Sequence, residues 1–278
     1  MIQMIKTYDE CRDYVLSFDQ DPSFSDPMLS NEEELQNNLR KAVENPGKHS
    51  VLGVYQDGRM TGLFSFLILR EEQYIEMLVG LSRVRDAYRE VIYYLEKTYP
   101  GCNADFVFCP GNYLLMEQLK SKGAQFEIEQ QKMVHAGSVP ELDLAGVELY
   151  SEKYAGQYFA IHDKEGYWTG EKVAAAQERF RIFLAVHEGK VVGYLDVTCC
   201  FEENEPYDLF VLEACRRKGY GRKLLAKALE MNRPKGMMLL VDVDNAPAIH
   251  LYESLGFGKI ENGNSITAHW AIPVCFPD

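Results

Sequence analysis

The sequence predicts a mixed α/β protein of the α+β kind, built from two tandem copies of one fold. VYQDGRMTG and AVHEGKVVG, which end at Gly62 and Gly193, each have the turn chemistry of a β-hairpin. Further on, Asn112 and Asn245 each open a stretch of about ten residues with helical spacing that ends at a glycine. The members of the two pairs lie 131 and 133 residues apart, so a duplicated fold of about 135 residues accounts for both.

The boundary between the copies is predicted within HAGSVPELDLAG, which runs from His135 to Gly146 and is rich in small and turn residues. We therefore expect a first domain at 1–136, a linker at 137–146 and a second domain at 147–278. Each copy has the pattern strand, two helices, hairpin with a third strand, helix, strand, helix, strand. This order predicts a largely antiparallel central sheet flanked by helices.

The composition excludes several classes of protein. With 46% apolar and 26% charged residues among 278, we expect a globular protein without a membrane span or a signal peptide. Seven cysteines without a C-x-x-C spacing indicate reduced thiols and a cytoplasmic location. A net charge of −13 argues against nucleic acid and favours a cationic small molecule or peptide amine as partner. The oligomeric state is left open.

The stretch CRRKGYGRKLLAKALE, residues 215–230, concentrates positive charge in this acidic chain. It follows the predicted strand YDLFVLE and opens a helix, and a glycine loop at such a junction presents several backbone N–H groups to an anion. Gly219 and Gly221 would let the backbone close on an oxygen-rich group. The flanking cations are Arg216, Arg217, Lys218, Arg222 and Lys223. The sequence thus predicts a site for a phosphate-bearing ligand.

Two common phosphate loops are excluded, because G-x-x-x-x-G-K-[ST] is absent and Leu224 stands where G-x-G-x-x-G needs its third glycine. The pattern [QR]-x-x-G-x-[GA] matches residues 216–221 and is followed by MMLLVDVDNAPAIHLYESLGF. With this loop, Asn245, Tyr252 and the LGF at 255–257, the sequence resembles the GNAT superfamily of N-acetyltransferases, which bind acetyl-CoA. The motifs lie within residues 147–274. Residues 212–215 depart from the family, which often has a proline and an aromatic residue there.

The resemblance implies roles for specific residues. The loop from Arg216 to Lys223, Tyr220 included, would hold the coenzyme's pyrophosphate. The fourth strand would splay from the fifth, so that the backbone of Phe210, Val211 and Leu212 contacts the coenzyme and the Val211 N–H is an oxyanion donor. Asn245 would bond the pantetheine arm, or serve only as a helix cap. Tyr252 would protonate the leaving thiolate, or simply pack on its helix. Acetyl-CoA is the expected co-substrate, and no metal is expected.

The acceptor amine must lose a proton, since an alkylamine is mostly charged at neutral pH. Glu205 shares strand parity with Val211 and is a candidate base, although a solvated turn and a water chain remain alternatives. Tyr207 could line the acceptor pocket. In the family this pocket lies between the first helices and the sheet, where this chain has Asp163, Glu165, Tyr167 and Trp168 to cradle a cation or form an ordinary loop. No catalytic role is expected for His162 or His250.

The first copy lacks the chemistry of the second. At an offset of 133 residues, Asp86 and Tyr88 fall on the two loop glycines and Leu119 falls on Tyr252. We therefore expect one coenzyme site, in the C-terminal half, beside a degenerate N-terminal copy. The expected reaction is acetyl transfer to a primary amine of a small molecule or peptide, by direct attack in a ternary complex. A mycothiol-synthase-like acetylation of an aminothiol conjugate and a non-catalytic acyl-CoA-binding or regulatory module are the alternatives.

Overall fold

The computed structural model describes residues 1–18, 21, 24, 32–138, 141–164 and 168–274, so Glu165 and Tyr167 lie outside the described residues. The chain forms two compact units. Unit 1 contains Met1–Gln131 and Glu261–Asp278, and unit 2 contains Lys132–Ile260. The predicted domains at 1–136 and 147–278 differ from this division, because the chain after Ile260 folds with the first unit.

The described residues contain fourteen strands and eight helices. The strands are β1 (Ile2–Met4), β2 (His49–Gln56), β3 (Arg59–Leu69), β4 (Tyr74–Leu81), β5 (Asn103–Phe108), β6 (Gln125–Phe126), β7 (Gln130–His135), β8 (Val147–Leu149), β9 (Phe180–His187), β10 (Lys190–Thr198), β11 (Glu203–Asn204), β12 (Pro206–Val211), β13 (Gly236–Asp242) and β14 (Phe257–Ala271). The helices are α1 (Arg12–Leu16), α2 (Glu32–Glu44), α3 (Arg85–Thr98), α4 (Tyr113–Ser121), α5 (Ala155–Ile161), α6 (Gly170–Ala175), α7 (Tyr220–Asn232) and α8 (Ala246–Glu253). Within this part of the chain, none of the helices has the length and apolar character that a bilayer span requires.

The sheet of unit 1 has the strand order β1-β2-β3-β4-β5-β14, with β6 beside β14. Its pairs are antiparallel except β4 with β5, which run parallel. Helices α1 and α2 pack on one face and α3 and α4 on the other, because strand residues alternate between the two faces. Residues Ile266–Ala271 of β14 pair with β5, which explains why the end of the chain belongs to unit 1. The mixed, largely antiparallel sheet flanked by helices confirms the predicted fold class.

Unit 2 contains two groups of strands. The order β8-β9-β10-β12 forms an antiparallel sheet, with α5 and α6 on one face and α7 and α8 on the other. The second group is β7-β13-β11, in which Glu203 and Asn204 of β11 run parallel to β13. Among the described strands, β12 pairs only with β10, although it continues the chain directly after β11. The strands β12 and β13 therefore diverge at Glu205. We call the gap between β12 and β13 the fork, and it is the predicted splay.

The two units differ most after β4 and β12. Eight residues (212–219) join β12 to α7, whereas three (82–84) join β4 to α3. The ungapped offset was therefore wrong at this point: Asp86 and Tyr88 do not replace the loop glycines but lie inside α3, because unit 1 lacks the loop altogether.

Tyr88 joins the ends of two neighbouring strands of unit 1. Its ring is fully buried, its hydroxyl donates to the Ser82 carbonyl oxygen after β4 (3.0 Å), and it accepts from Nδ2 of Asn112 after β5 (2.9 Å). Asn112 also caps α4, since its Oδ1 accepts from the Leu115 N–H. The hydroxyl of Tyr88 thus bridges the strand ends whose counterparts flank the fork in unit 2.

Replacing Tyr88 by Phe should destabilise unit 1 by about 1–3 kcal/mol, because an amide N–H and a carbonyl lose their partner inside the core. Urea unfolding of the full chain measures the change. The matched control is Tyr93→Phe, at an exposed position of the same helix, which should shift the unfolding free energy by less than about 0.5 kcal/mol. Equal effects of the two substitutions would contradict the bridging role.

Candidate functional site

The loop before α7 presents a run of unpaired backbone N–H groups. Arg217 (φ +63°) and Gly219 (φ +87°) are both left-handed, and Gly219 is the N-cap of α7. Arg216 N–H bonds to the Glu213 carbonyl, and Lys223 N–H is the next to bond back, to Gly219. From residue 217 to residue 222, no backbone N–H has an acceptor among the described residues. A left-handed non-glycine residue and free N–H groups at a helix start are features of an anion site.

The predicted cations divide into two sets. Arg216 Nε donates to the Val211 carbonyl (3.0 Å), and Lys223 Nζ contacts Asp143 Oδ2 (3.4 Å), so these two side chains brace the loop. Arg222 donates through Nη2 to Ser254, whereas its Nε is buried without a hydrogen-bond partner in the described structure. The exposed side chains of Arg217 and Lys218 make no hydrogen bond or ion pair with the described residues. The side chains of Arg217 and Lys218 therefore remain for an anion, whereas Nε of Arg222 is unpaired but closed to solvent.

The register of β12 directs the N–H of Val211 into the fork. Leu212 N–H bonds to the Val192 carbonyl (2.9 Å), so the next pair, Val211 with Gly193, is a non-hydrogen-bonded pair. The Val211 N–H consequently points away from β10, towards the side on which β12 has no partner strand among the described residues. Phe210 and Leu212 were also predicted to contact the coenzyme. The N–H of Leu212 is taken by its hydrogen bond to β10, and the Phe210 ring stacks on the Tyr194 ring with centroids 5.8 Å apart.

Asn245, the N-cap of α8, and Tyr252, within α8, were predicted to contact the coenzyme, and each has a polar atom without a hydrogen-bond partner among the described residues. Asn245 caps α8, its Oδ1 accepting from the Ala248 N–H (3.2 Å), while its Nδ2 has no acceptor among the described residues. Tyr252 packs against Phe257 with ring centroids 5.9 Å apart, and its hydroxyl likewise has no partner in the part of the chain described. Burial raises the pKa of Tyr252, so its phenol is protonated at neutral pH.

On the opposite face of the β8-β9-β10-β12 sheet, the structure brings Trp168 and Tyr207 to Phe180, at centroid distances of 4.9 and 5.7 Å. The Arg179 guanidinium lies over the Trp168 ring (5.2 Å), so the chain's own cation occupies the aromatic surface predicted for an amine. The Asp163 carbonyl accepts from His162 Nδ1 (2.9 Å).

Glu205 lies between β11 and β12, at the point where β12 diverges from β13. Burial raises the pKa of its carboxyl group and the charge of Lys132 opposes this shift. Six residues of extended strand span about 20 Å, so Glu205 and Val211 are not brought together. A bulge at Tyr207 also interrupts the alternation, because Asp196 is opposite Asp208 while Val197 is opposite Pro206. The parity that linked Glu205 with Val211 therefore does not hold.

A cluster of polar side chains at the C-terminal end of α5 was not predicted from the sequence. His162 Nε2 lies 2.9 Å from Oδ2 of Asp196, and Tyr158 donates its hydroxyl to both oxygens of Asp196 (2.9 Å each). Tyr194 donates to Oδ2 of Asp208 (2.5 Å), and that oxygen lies 3.8 Å from His162 Nε2. The imidazole also stacks on the Tyr194 ring (4.8 Å). We call these five residues the Asp196 cluster.

Comparisons with known proteins identify the family that part of unit 2 resembles. Residues 178–259, which include β9 to α8, the loop, Asn245 and Tyr252, match the family model of the acetyltransferase (GNAT) domain. The chain carries a GNAT acetyltransferase domain. Over 113 residues it is 35% identical to the mycothiol acetyltransferase of Thermomonospora curvata, an alignment covering 37% of this chain and 38% of that protein. The chain thus spans well under half the length of this curated relative.

Two solved structures extend the fold comparison to the whole chain. A GCN5-related N-acetyltransferase from Sphaerobacter thermophilus superposes with a TM-score of 0.68 at 11% identity, covering 98% of this chain and 96% of that one. A tandem GNAT protein from the clavulanic acid biosynthesis pathway gives 0.55 at 15% identity, covering 97% and 98%. At these identities the likeness concerns the fold, and it agrees with two tandem GNAT folds in one chain.

Within unit 2, hydrogen bonds fix the protonation of His162. Its Nδ1 must donate, because its partner is the Asp163 carbonyl, so Nε2 and Asp196 share one further proton. Burial lowers the pKa of His162, but the hydrogen bonds to Asp196 and Asp163 and the nearby carboxylate charges outweigh it and raise the pKa overall. One sequence signal could have located the cluster: Asp196 is a carboxylate inside the apolar strand VVGYLDVT.

The same cluster offers the one candidate set of metal ligands among the described residues. Ligand atoms of His162, Asp196 and Asp208 lie within 4.8 Å of one another. The ring nitrogens of His162, both oxygens of Asp196 and Oδ2 of Asp208 are already engaged with one another, with the Asp163 carbonyl, or with Tyr158 and Tyr194. Hydrogen bonding within unit 2 therefore accounts for this arrangement.

The raised pKa of His162 predicts a pH-dependent stability. Its contribution is fully present below the ordinary histidine pKa of about 6.5 and is lost as the pH rises through the raised folded value. In His162→Asn this part of the pH dependence should disappear, whereas the exposed control His250→Asn should retain it. Urea unfolding at several pH values measures the difference between each variant and the original chain. A difference for His162→Asn that is independent of pH would contradict the assignment.

Proposed function

We propose that unit 2 binds acetyl-CoA and transfers its acetyl group to a primary amine. The observation that carries this proposal is the set of unpaired N–H groups on both sides of one short loop: residues 217–222 at the start of α7, and Val211 at the end of β12. The first group suits a diphosphate and the second suits a single developing negative charge.

The coenzyme's pyrophosphate would lie on the N–H groups of residues 217–222, which the dipole of the thirteen-residue helix α7 reinforces. The exposed side chains of Arg217 and Lys218, together with the charge of Arg222, would supply positive charge there. Asn245 Nδ2 would donate to the pantetheine arm. Its role as cap of α8 is compatible with this, since the cap uses only Oδ1.

Acetyl-CoA supplies a thioester whose carbonyl carbon the amine attacks. The Val211 N–H would donate to the carbonyl oxygen as negative charge develops there, which is the largest single contribution in many acyl transfers. Tyr252 would donate to the leaving sulfur, because its buried phenol keeps its proton at neutral pH. Neither group would have to give up an existing hydrogen bond to a described residue in order to do so.

Unit 1 would not bind the coenzyme. Its short connection from β4 to α3 leaves no loop of free N–H groups, and Tyr88 bonds to the side chain of Asn112, the counterpart of Asn245. Leu119, fully buried, stands where unit 2 has Tyr252. These differences support one coenzyme site per chain.

The similarity to mycothiol acetyltransferase supports an aminothiol conjugate as a second candidate acceptor. Rates with simple amines and with aminothiols, measured side by side, distinguish the two. A non-catalytic acyl-CoA-binding module would instead bind the coenzyme and release no thiol with any amine.

Gly219→Asp should weaken acetyl-CoA binding by roughly 100-fold or more, because a carboxylate beside the diphosphate costs several kcal/mol. Calorimetric titration should give one site per chain for the unmodified protein. The matched control is Gly189→Asp, a left-handed glycine (φ +76°, against +87°) in unit 2 with equally open surroundings, at the hairpin turn. Both variants carry the same backbone strain, so equal coenzyme affinity in both would place the diphosphate elsewhere.

Tyr252→Phe should lower kcat for thiol release by roughly 100-fold while leaving the acetyl-CoA Kd unchanged, since it removes a proton donor and keeps the ring. The assay follows thiol release with a panel of amines, polyamines, aminoglycosides and peptide N-termini. Tyr150→Phe, which removes a half-buried hydroxyl of the same unit, is the control. Full activity of Tyr252→Phe would remove the proton-donor role.

A further inference from the structure

Asp208 is the member of the Asp196 cluster that solvent reaches. Its side chain is 31% exposed, against 3% for His162 and 0% for Asp196. The pair of His162 and Asp196 carries no net charge, because one proton is shared between Nε2 and the carboxylate. The uncompensated negative charge of the cluster therefore lies on Asp208, at the surface of the α5–α6 side.

Buried groups hold the Asp208 carboxylate in place. Tyr194 donates to Oδ2, and the imidazole of His162 approaches the same oxygen. Tyr158 fixes Asp196, which in turn orients His162. A carboxylate backed in this way presents its remaining lone pairs in one direction with little loss of side-chain entropy on binding.

Asp208 also stands close to the proposed reaction point along the chain. Asp208 lies three positions before Val211 along the strand, which places their backbones about 10 Å apart. Glu205 is about 20 Å from Val211 and lies beyond the bulge. A carboxylate side chain shortens that distance to the reach of a bound amine, directly or through one water.

We propose that Asp208 binds the ammonium group of the acceptor and takes its proton, with His162, Asp196 and Tyr194 as positioning residues. This inference rests on the proposed acetyl transfer. The N–H bond breaks, the proton goes to a carboxylate oxygen of Asp208, and the nitrogen lone pair forms the C–N bond as the C–S bond breaks. Tyr252 gives its proton to the leaving sulfur, and the second proton lost by nitrogen restores the phenol of Tyr252. Asp208 then releases its proton to solvent.

The surroundings of Asp208 define the acceptor class. The exposed ring of Tyr207 and the half-buried ring of Phe210 lie on this surface, backed by the buried rings of Phe180 and Tyr194, and they suit an apolar stem. A carboxylate next to the amine would be repelled by Asp208. The expected acceptor is a primary ammonium on an apolar or aromatic stem, without an adjacent carboxylate.

The test uses the full chain with 2-phenylethylamine and phenylalanine as probes, which differ by the carboxylate. Asp208→Asn should lower kcat/KM for 2-phenylethylamine by at least 100-fold and leave the acetyl-CoA Kd within twofold. Asp208→Glu should recover part of the rate. The control Glu230→Gln, an exposed carboxylate on α7, should behave as the unmodified chain. The unmodified chain should prefer 2-phenylethylamine to phenylalanine by at least tenfold.

The positioning role has its own measurement. His162→Asn should lower kcat/KM in the unmodified background and have no further effect in the Asp208→Asn background, whereas a merely structural role would lower it equally in both.

A binding measurement separates this inference from the proposed function. Titration of 2-phenylethylamine without coenzyme, followed by NMR, should show at least tenfold weaker binding to Asp208→Asn even if no thiol is released. Equal affinity of the two proteins, or a loss of rate in Glu205→Gln in place of Asp208→Asn, would overturn the proposal. Failure of the unmodified chain to bind acetyl-CoA would instead overturn the acetyltransferase function.

Discussion

The fork between β12 and β13 is the constraint on which the site depends. A strand that leaves its neighbour exposes a row of main-chain donors and acceptors, and each such group left buried without a partner costs about 1–3 kcal/mol. In unit 2 the chain leaves Val211 N–H facing the fork and places the N–H groups of residues 217–222 just beyond it. The unmet hydrogen bonds are therefore concentrated where a ligand with amide, carbonyl and phosphate groups can meet them.

In unit 1 the corresponding strand ends are joined by the unit's own side chains. Asn112 and Asn245 cap matching helices through Oδ1, and they differ in the fate of Nδ2. In unit 1 that N–H group bonds to Tyr88, a side chain that the shorter β4–α3 connection brings into the core. Unit 1 thus provides an acceptor for Nδ2 of Asn112 from its own side chains, whereas Nδ2 of Asn245 in unit 2 has no acceptor among the described residues. The shorter connection and this internal hydrogen bond occur together in unit 1, which is consistent with the proposal of a single coenzyme site in unit 2.

Features of the site that depend on neighbouring residues could be predicted from the sequence. Features that depend on contacts between distant segments of the chain could not. The hairpins, the asparagine caps and the glycine loop depend on residues close together in the chain, and the structure has all of them. The pairing of β14 with β5, the closure of His162 onto Asp196 and the bulge at Tyr207 depend on partners from distant segments. Parity arguments fail at a bulge, and ungapped offsets fail at a deletion, because both assume an uninterrupted register.

Charge is distributed over β12 in a way that lets two oppositely charged ligands approach one strand. Main-chain N–H groups lie in the plane of the sheet, while side chains stand perpendicular to it. Val211 consequently faces the fork, and Asp208 faces α5 and α6. The cations of the loop follow the end of the strand, and the acidic cluster lies earlier along it. Under the proposed function, an anionic coenzyme and a cationic acceptor would therefore approach the same strand from different sides, so that both can be present in one ternary complex.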